Sequence, residues 1–97
     1  MIRQHNALDV ETLQAIIIDA LEDVKAQDIT VLNTEQLSGE FDRVIIATGS
    51  SNRQTRALAK NVHEKVKAGG GDILATEGED SGEWVLVDCA DIIVHLM

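Results

Sequence analysis

Gly49-Ser50-Ser51-Asn52 closes an apolar, β-branched run and opens a segment carrying Arg53, Arg56, Lys60, Lys65 and Lys67. Backbone N–H groups and two hydroxyls at a helix start are the equipment that holds a phosphate. The same residues also serve a plainer purpose. A Ser51 or Asn52 side chain at the helix entrance accepts from a first-turn N–H and stabilises the helix by about 1 kcal/mol. Neither G-x-x-x-x-G-K-[ST] nor G-x-G-x-x-G occurs, so the spacings of the known phosphate loops are absent.

Nucleotidyl transfer at such a Gly-Ser turn would need two acids flanking one residue on the next strand, to hold the metal ions that bridge the nucleotide phosphates. After Gly49-Ser50 come Glu64 and then Asp72, and no Asp-x-Asp or Asp-x-Glu follows on a strand. The capping reading is preferred. Cys89 has no thiolate-activating neighbour in the sequence, and His5, His63 and His95 share no metal-ligand spacing with each other or with it. The expectation is no catalytic residue, no cofactor and no metal.

The C-terminal hairpin offers a different kind of chemistry. If Cys89-Ala90 is a two-residue turn, Asp88 pairs with Asp91, Leu86 with Ile93 and Trp84 with His95. Strand alternation then projects all six from one sheet face and sends Val85, Val87, Ile92, Val94 and Leu96 to the other. The aliphatic set belongs under the helices. The mixed set, with Trp84, Asp88, Asp91, Ile93 and His95, has the composition of an exposed recognition patch for a cationic partner. Against this stands the reading in which Trp84 is core and the two acids are turn residues.

The elements that position these residues follow from periodicity. Leu13, Ile16, Ile17, Ala20, Leu21 and Val24 predict an amphipathic helix over 8–26. Residues 28–33 predict a strand, 34–41 a loop containing Ser38-Gly39, and 42–48 a strand apolar on both alternating faces, covered on two sides or central in its sheet. A second helix is predicted over 52–68, with Thr55, Leu58, Ala59, Val62 and Val66 inward and Arg53, Arg56, Lys60, His63 and Lys67 outward. Gly69-Gly70-Gly71 ends it. Strands over 73–76, 84–88 and 91–96 complete an α-β-β-α-β-β-β order, an α/β or α+β arrangement of helices on a mixed sheet.

Ninety-seven residues fit one domain, and a hydrophobic fraction of 44% argues against disorder. A single cysteine and the lack of a leader or membrane-length apolar run point to a soluble, cytoplasmic protein. The net charge of −9 disfavours nucleic acid as the main partner. It is unevenly spread: residues 52–68 carry +4, which leaves −13 on the remainder. The basic stripe is expected to serve solubility, with RNA contact secondary.

The stretches "FDRVIIATGSSNRQTRALA", "TEGEDSGEWVLVD" and "DIIVHLM" resemble, in order and spacing, the Iojap family of ribosomal silencing factors. The resemblance runs from the first helix to the last residue. It implies a nucleotidyltransferase-like fold without the catalytic acids. It further implies binding to the large ribosomal subunit through universal large-subunit protein fourteen, which blocks joining of the small subunit when nutrients are short. Asp42 to Gly49, Trp84, Asp88, Asp91 and His95 fall on family motif positions. Two departures are Ala90, where the family usually has Gly, and an end at Met97 where it continues with a short Arg- and aromatic-containing tail. The competing classes are a nucleotide-binding transferase using Ser50, Ser51 and Arg53, and a homodimeric interaction module acting off the ribosome.

Overall fold

Thr12 N donates to the Asp9 carboxylate at 2.8 Å, and this cap starts helix α1, Val10–Asp23. In this computed structural model, which describes residues 5–37 and 39–97, α1 buries Leu13, Ile17, Ala20 and Leu21. The helix ends three residues before the predicted position 26. Lys25 turns to φ +60°, a left-handed conformation that cannot continue a right-handed helix.

Strand β1, Gln27–Asn33, pairs antiparallel with β2, Arg43–Thr48, with a register irregularity between Gln27 and Thr30 where Asp28 takes φ +52°. The connecting loop is closed by Thr34, whose N–H donates to the Asp42 carbonyl at 2.9 Å and whose hydroxyl donates to the Phe41 carbonyl at 3.0 Å. Ser38, expected in this loop, and residues 1–4 lie outside the described residues.

Helix α2, Asn52–Ala68, has the predicted bounds and buries the predicted five residues, Thr55, Leu58, Ala59, Val62 and Val66. It stops at a glycine-dependent cap. Gly70 takes φ +91°, which lets Gly71 N reach the Val66 carbonyl at 2.8 Å. Strands β3 (Ala75–Glu77), β4 (Val85–Asp88) and β5 (Ile92–Leu96) follow, β3 lying further along the chain than the predicted 73–76.

The strand order is β1-β2-β5-β4-β3, with β2 and β5 parallel and the other neighbours antiparallel. The chain leaves β2, crosses in α2 and returns through the β3-β4-β5 meander, so the last strand occupies the centre. Both helices pack on one sheet face, an α+β architecture. Ile45, Ala47, Val85, Val87, Ile92, Val94 and Leu96 meet the inner faces of α1 and α2 in one buried cluster.

The β4-β5 turn differs from the expected one. Cys89 N donates to the Ile92 carbonyl and Asp91 N to the Cys89 carbonyl, both at 2.9 Å, with Ala90 at φ +69° between them. Asp88 therefore faces Ile93, Leu86 faces His95 and Val85 faces Leu96. The expected Asp88–Asp91, Leu86–Ile93 and Trp84–His95 pairs are not formed. The pairing is displaced by two residues, and because side chains alternate with period two, an even displacement leaves the residues of β4 and β5 on their expected faces, while Asp91 is drawn into the turn.

Candidate functional site

The helices cover one side of the sheet, and the other side carries two continuous rows of side chains. Register places Leu32, Val44, Ile93, Asp88 and Ala75 in the first row, and Thr30, Ile46, His95, Leu86 and Glu77 in the second. Five strands at about 4.8 Å spacing make each row roughly 19 Å long. The centre of this face is aliphatic: Val44, Ile46, Leu86 and Ile93 are half-buried by their neighbours alone, and Leu32 at the β1 edge is 45% exposed.

Trp84 stands just before β4 and is 44% exposed. Its ring lies on the backbone of Gly78, where an added Cβ would come within 2.8 Å of Trp84 Cε3 and 2.9 Å of Cζ3. Gly78 also sits at φ +85°, so a glycine there is required twice, by conformation and by the ring's approach. The tryptophan is thus supported along one surface and open along another.

Of the predicted patch, Asp88, Ile93 and His95 lie in these rows and Trp84 stands exposed just before β4, whereas Asp91 is turned away. Asp91 is 7% exposed, and its carboxylate meets His5 Nδ1 at 2.6 Å and accepts from Asn6 N at 2.9 Å. Buried Asn6 continues the clasp. Its Nδ2 donates to the Asp72 carbonyl at 2.8 Å and to the Cys89 carbonyl at 2.9 Å, and its Oδ1 accepts from Leu8 N and Asp72 N. Asp91 thus ties the segment before α1 to the hairpin turn. Asp88 has a structural duty as well, since Oδ1 accepts from Ala90 N at 2.9 Å and shapes the same turn. The Asp91 bond and charge raise the His5 pKa above the ordinary histidine value.

Arg43, at the start of β2, is the other anchored charge. Its side chain is 11% exposed, and its guanidinium pairs with Glu11 at 3.2 Å and with Glu35, which raises its pKa. It joins the first turn of α1 to the loop after β1. Cys89 is buried, and desolvation together with the nearby Asp88 charge pushes its thiol up to about 12, which keeps it protonated and unreactive.

At the Gly-Ser turn, Ser51 Oγ accepts from Gln54 N at 3.1 Å, and Ser50 N donates to the Gln54 side chain. Gln54 Nε2 reaches back to the Val24 carbonyl at 2.8 Å. A Cβ on Gly49 would come within 2.6 Å of Thr55 Oγ1 and 2.9 Å of Thr55 N. The glycine is needed for close packing of the strand exit on the helix, as the capping reading expects. Among the described residues no cluster of His, Cys, Asp and Glu could hold a metal ion, and no helix is long and apolar enough to cross a membrane.

Sequence reasoning missed Leu32, Val44 and Ile46 as members of the face. Their signal was present in the two-sided apolar pattern of residues 42–48, which predicted cover on both sides or a central position. The helices cover the Ile45 and Ala47 side, and the Val44 and Ile46 side is left without a layer.

A family model described as "Ribosomal silencing factor during starvation" matches residues 7–97. A "Ribosomal silencing factor RsfS" from Chromobacterium violaceum is 49% identical over 90 residues, covering 93% of this chain and 74% of that protein. A crystal structure of a Chromobacterium violaceum protein superposes with a TM-score of 0.91 at 49% identity, covering 93% of this chain and 75% of that one. More distantly, a mouse protein named "Mitochondrial assembly of ribosomal large subunit protein 1" is 25% identical over 85 residues, 84% of this chain and 37% of its own length. On sequence and on fold alike, this chain belongs to the RsfS family of ribosomal silencing factors.

Proposed function

We propose that this protein is a translational regulator that acts in the cytoplasm by docking its uncovered sheet face on the large ribosomal subunit. The partner is universal large-subunit protein fourteen, and the bound domain sterically prevents the small subunit from joining when nutrients are limiting. The observation that carries this reading is the aliphatic face of Leu32, Val44, Ile46, Leu86 and Ile93, flanked by exposed Trp84, in a chain of the silencing-factor family. An uncovered apolar face with an aromatic at its edge fits the anatomy of a protein interface. Asp88 and the −13 charge carried outside residues 52–68 suit a basic partner. Trp84, Asp88, Ile93 and His95 make contact, and Asp91 holds the turn beneath them. Nothing in this mode of action requires a reaction or a cofactor.

Pelleting with purified large subunits, read beside thermal melting, tests the proposal. Trp84→Ala should melt nearly normally, because a ring already 44% exposed loses far less than the ~3–5 kcal/mol of a buried one. Its affinity should fall roughly thirtyfold, the effect of losing about 2 kcal/mol on truncating an aromatic anchor. Asp88→Asn keeps an acceptor for the Ala90 N–H and removes the charge, so it should weaken binding without disturbing the turn. Intact pelleting by both stable variants would place the contact elsewhere.

A further inference from the structure

The outer face of α2 carries Arg53, Arg56, Lys60, His63 and Lys67 at intervals of three and four residues, all exposed. They form one track over about 21 Å of helix. In a protein with 17 acids, neutralising them would be simple, yet among the described residues the ion pairs involve only His5 and Arg43. Arg56 is the one member otherwise engaged, donating Nη1 to the Ser81 carbonyl at 3.1 Å. That bond leans it against the β3-β4 loop, beside an open cavity of about 520 Å³ that Lys60, His63 and Thr76 also line. Glu64 and Glu79 line the same cavity, and this makes it unsuited to a small free anion.

The track lies on the flank of α2 beside the β3-β4 loop that Arg56 meets, on a different element from the rows of the uncovered sheet face. Two surfaces with different chemistry thus belong to different elements of a molecule that measures 36 × 26 × 22 Å. With −13 elsewhere in the chain, this helix is the segment whose charge favours a polyanion.

We infer that the outer face of α2 is a second docking surface, which takes the phosphate backbone of ribosomal RNA while the sheet face holds a ribosomal protein. This rests on the large-subunit reading above. A phosphate backbone is favoured over an acidic protein patch because the four cations Arg53, Arg56, Lys60 and Lys67 are long, lie along one line of the helix and make no ion pair among the described residues. Two contacts made at once raise the overall affinity well beyond either alone, which lets a 97-residue domain resist displacement by the small subunit. The sequence expectation that the stripe only solubilises the protein is set aside on these grounds.

The test measures binding of the whole chain to purified large subunits over a salt series, with chemical footprinting of the ribosomal RNA. Lys60→Gln/Lys67→Gln and Arg53→Gln/Arg56→Gln are compared with the unaltered protein, and melting checks that both fold. Each double variant should lower the slope of log affinity against log salt by roughly 1.5 and erase an RNA footprint that the unaltered protein leaves. Affinity near physiological salt should fall at least fivefold. Weaker binding with the slope and footprint unchanged would mean an acidic protein partner, and unchanged binding would mean solvated charge; either overturns the inference. Trp84→Ala separates the two proposals. If it abolishes pelleting while both glutamine variants pellet normally, only the RNA contact fails. If Trp84→Ala pellets normally while the glutamine variants lose their footprint, the sheet-face reading fails and the RNA contact stands.

Discussion

Ala90 is held at φ +69° with its methyl fully buried, inside a turn whose neighbours Asp88 and Asp91 are both committed to hydrogen bonds. A left-handed alanine costs about 1–2 kcal/mol, and the buried methyl returns up to about 0.8 kcal/mol. Ala90→Gly should therefore stabilise the domain slightly, by up to about 1 kcal/mol, read as a rise in the denaturant midpoint. A fall would mean that methyl packing outweighs the backbone strain. His5 answers to pH. Its raised pKa means that the protonated form is favoured in the folded state, so the extra stability is fully present below the ordinary histidine value near 6.5. It is lost as pH rises through the higher folded value. Melting temperatures taken across this window should show the loss, and His5→Gln should flatten that component of the profile.

The entrance of α2 shows how an element sets the meaning of its residues. Read singly, Gly49, Ser50 and Ser51 could hold a phosphate; in place, they pack and cap the helix. Gly49→Ala must displace Thr55 backbone as well as its hydroxyl, and should destabilise by about 1–3 kcal/mol. Ser51→Ala should cost about 1 kcal/mol through loss of the cap. The exposed Ser50 hydroxyl has no such part, so Ser50→Ala should stay within about 0.5 kcal/mol in chemical denaturation. Equal and large effects of all three would contradict a purely structural turn.

At the scale of the molecule, two helices cannot cover both faces of a five-stranded sheet, and the side they leave open is aliphatic. A second copy of the chain is the competing occupant of that face. Leu32→Asp places a charge at its rim, on a side chain exposed enough that folding should survive. Large-subunit affinity should fall about five- to tenfold, the worth of roughly 1 kcal/mol of apolar contact. Sedimentation velocity of the free protein at several concentrations decides whether self-association uses the same surface. If it does, Leu32→Asp should weaken dimer and subunit binding together.

How much was legible in the sequence depended on whether the signal was local. The bounds and the inner and outer faces of α2 were readable because helical periodicity repeats within 17 residues and its caps lie at its ends. The two faces of the β4-β5 hairpin were readable because alternation survives any even displacement of register, although the turn itself was misplaced. Asp91 was misread because its partners, His5 and Asn6, lie 86 and 85 residues away, and no pattern near residue 91 reveals that the chain's beginning packs there. The second apolar side of β2 was left undecided for a related reason. An apolar strand face looks the same in sequence whether a helix or a partner covers it, and only the assembled layers, with both helices on the other side, leave Val44 and Ile46 open.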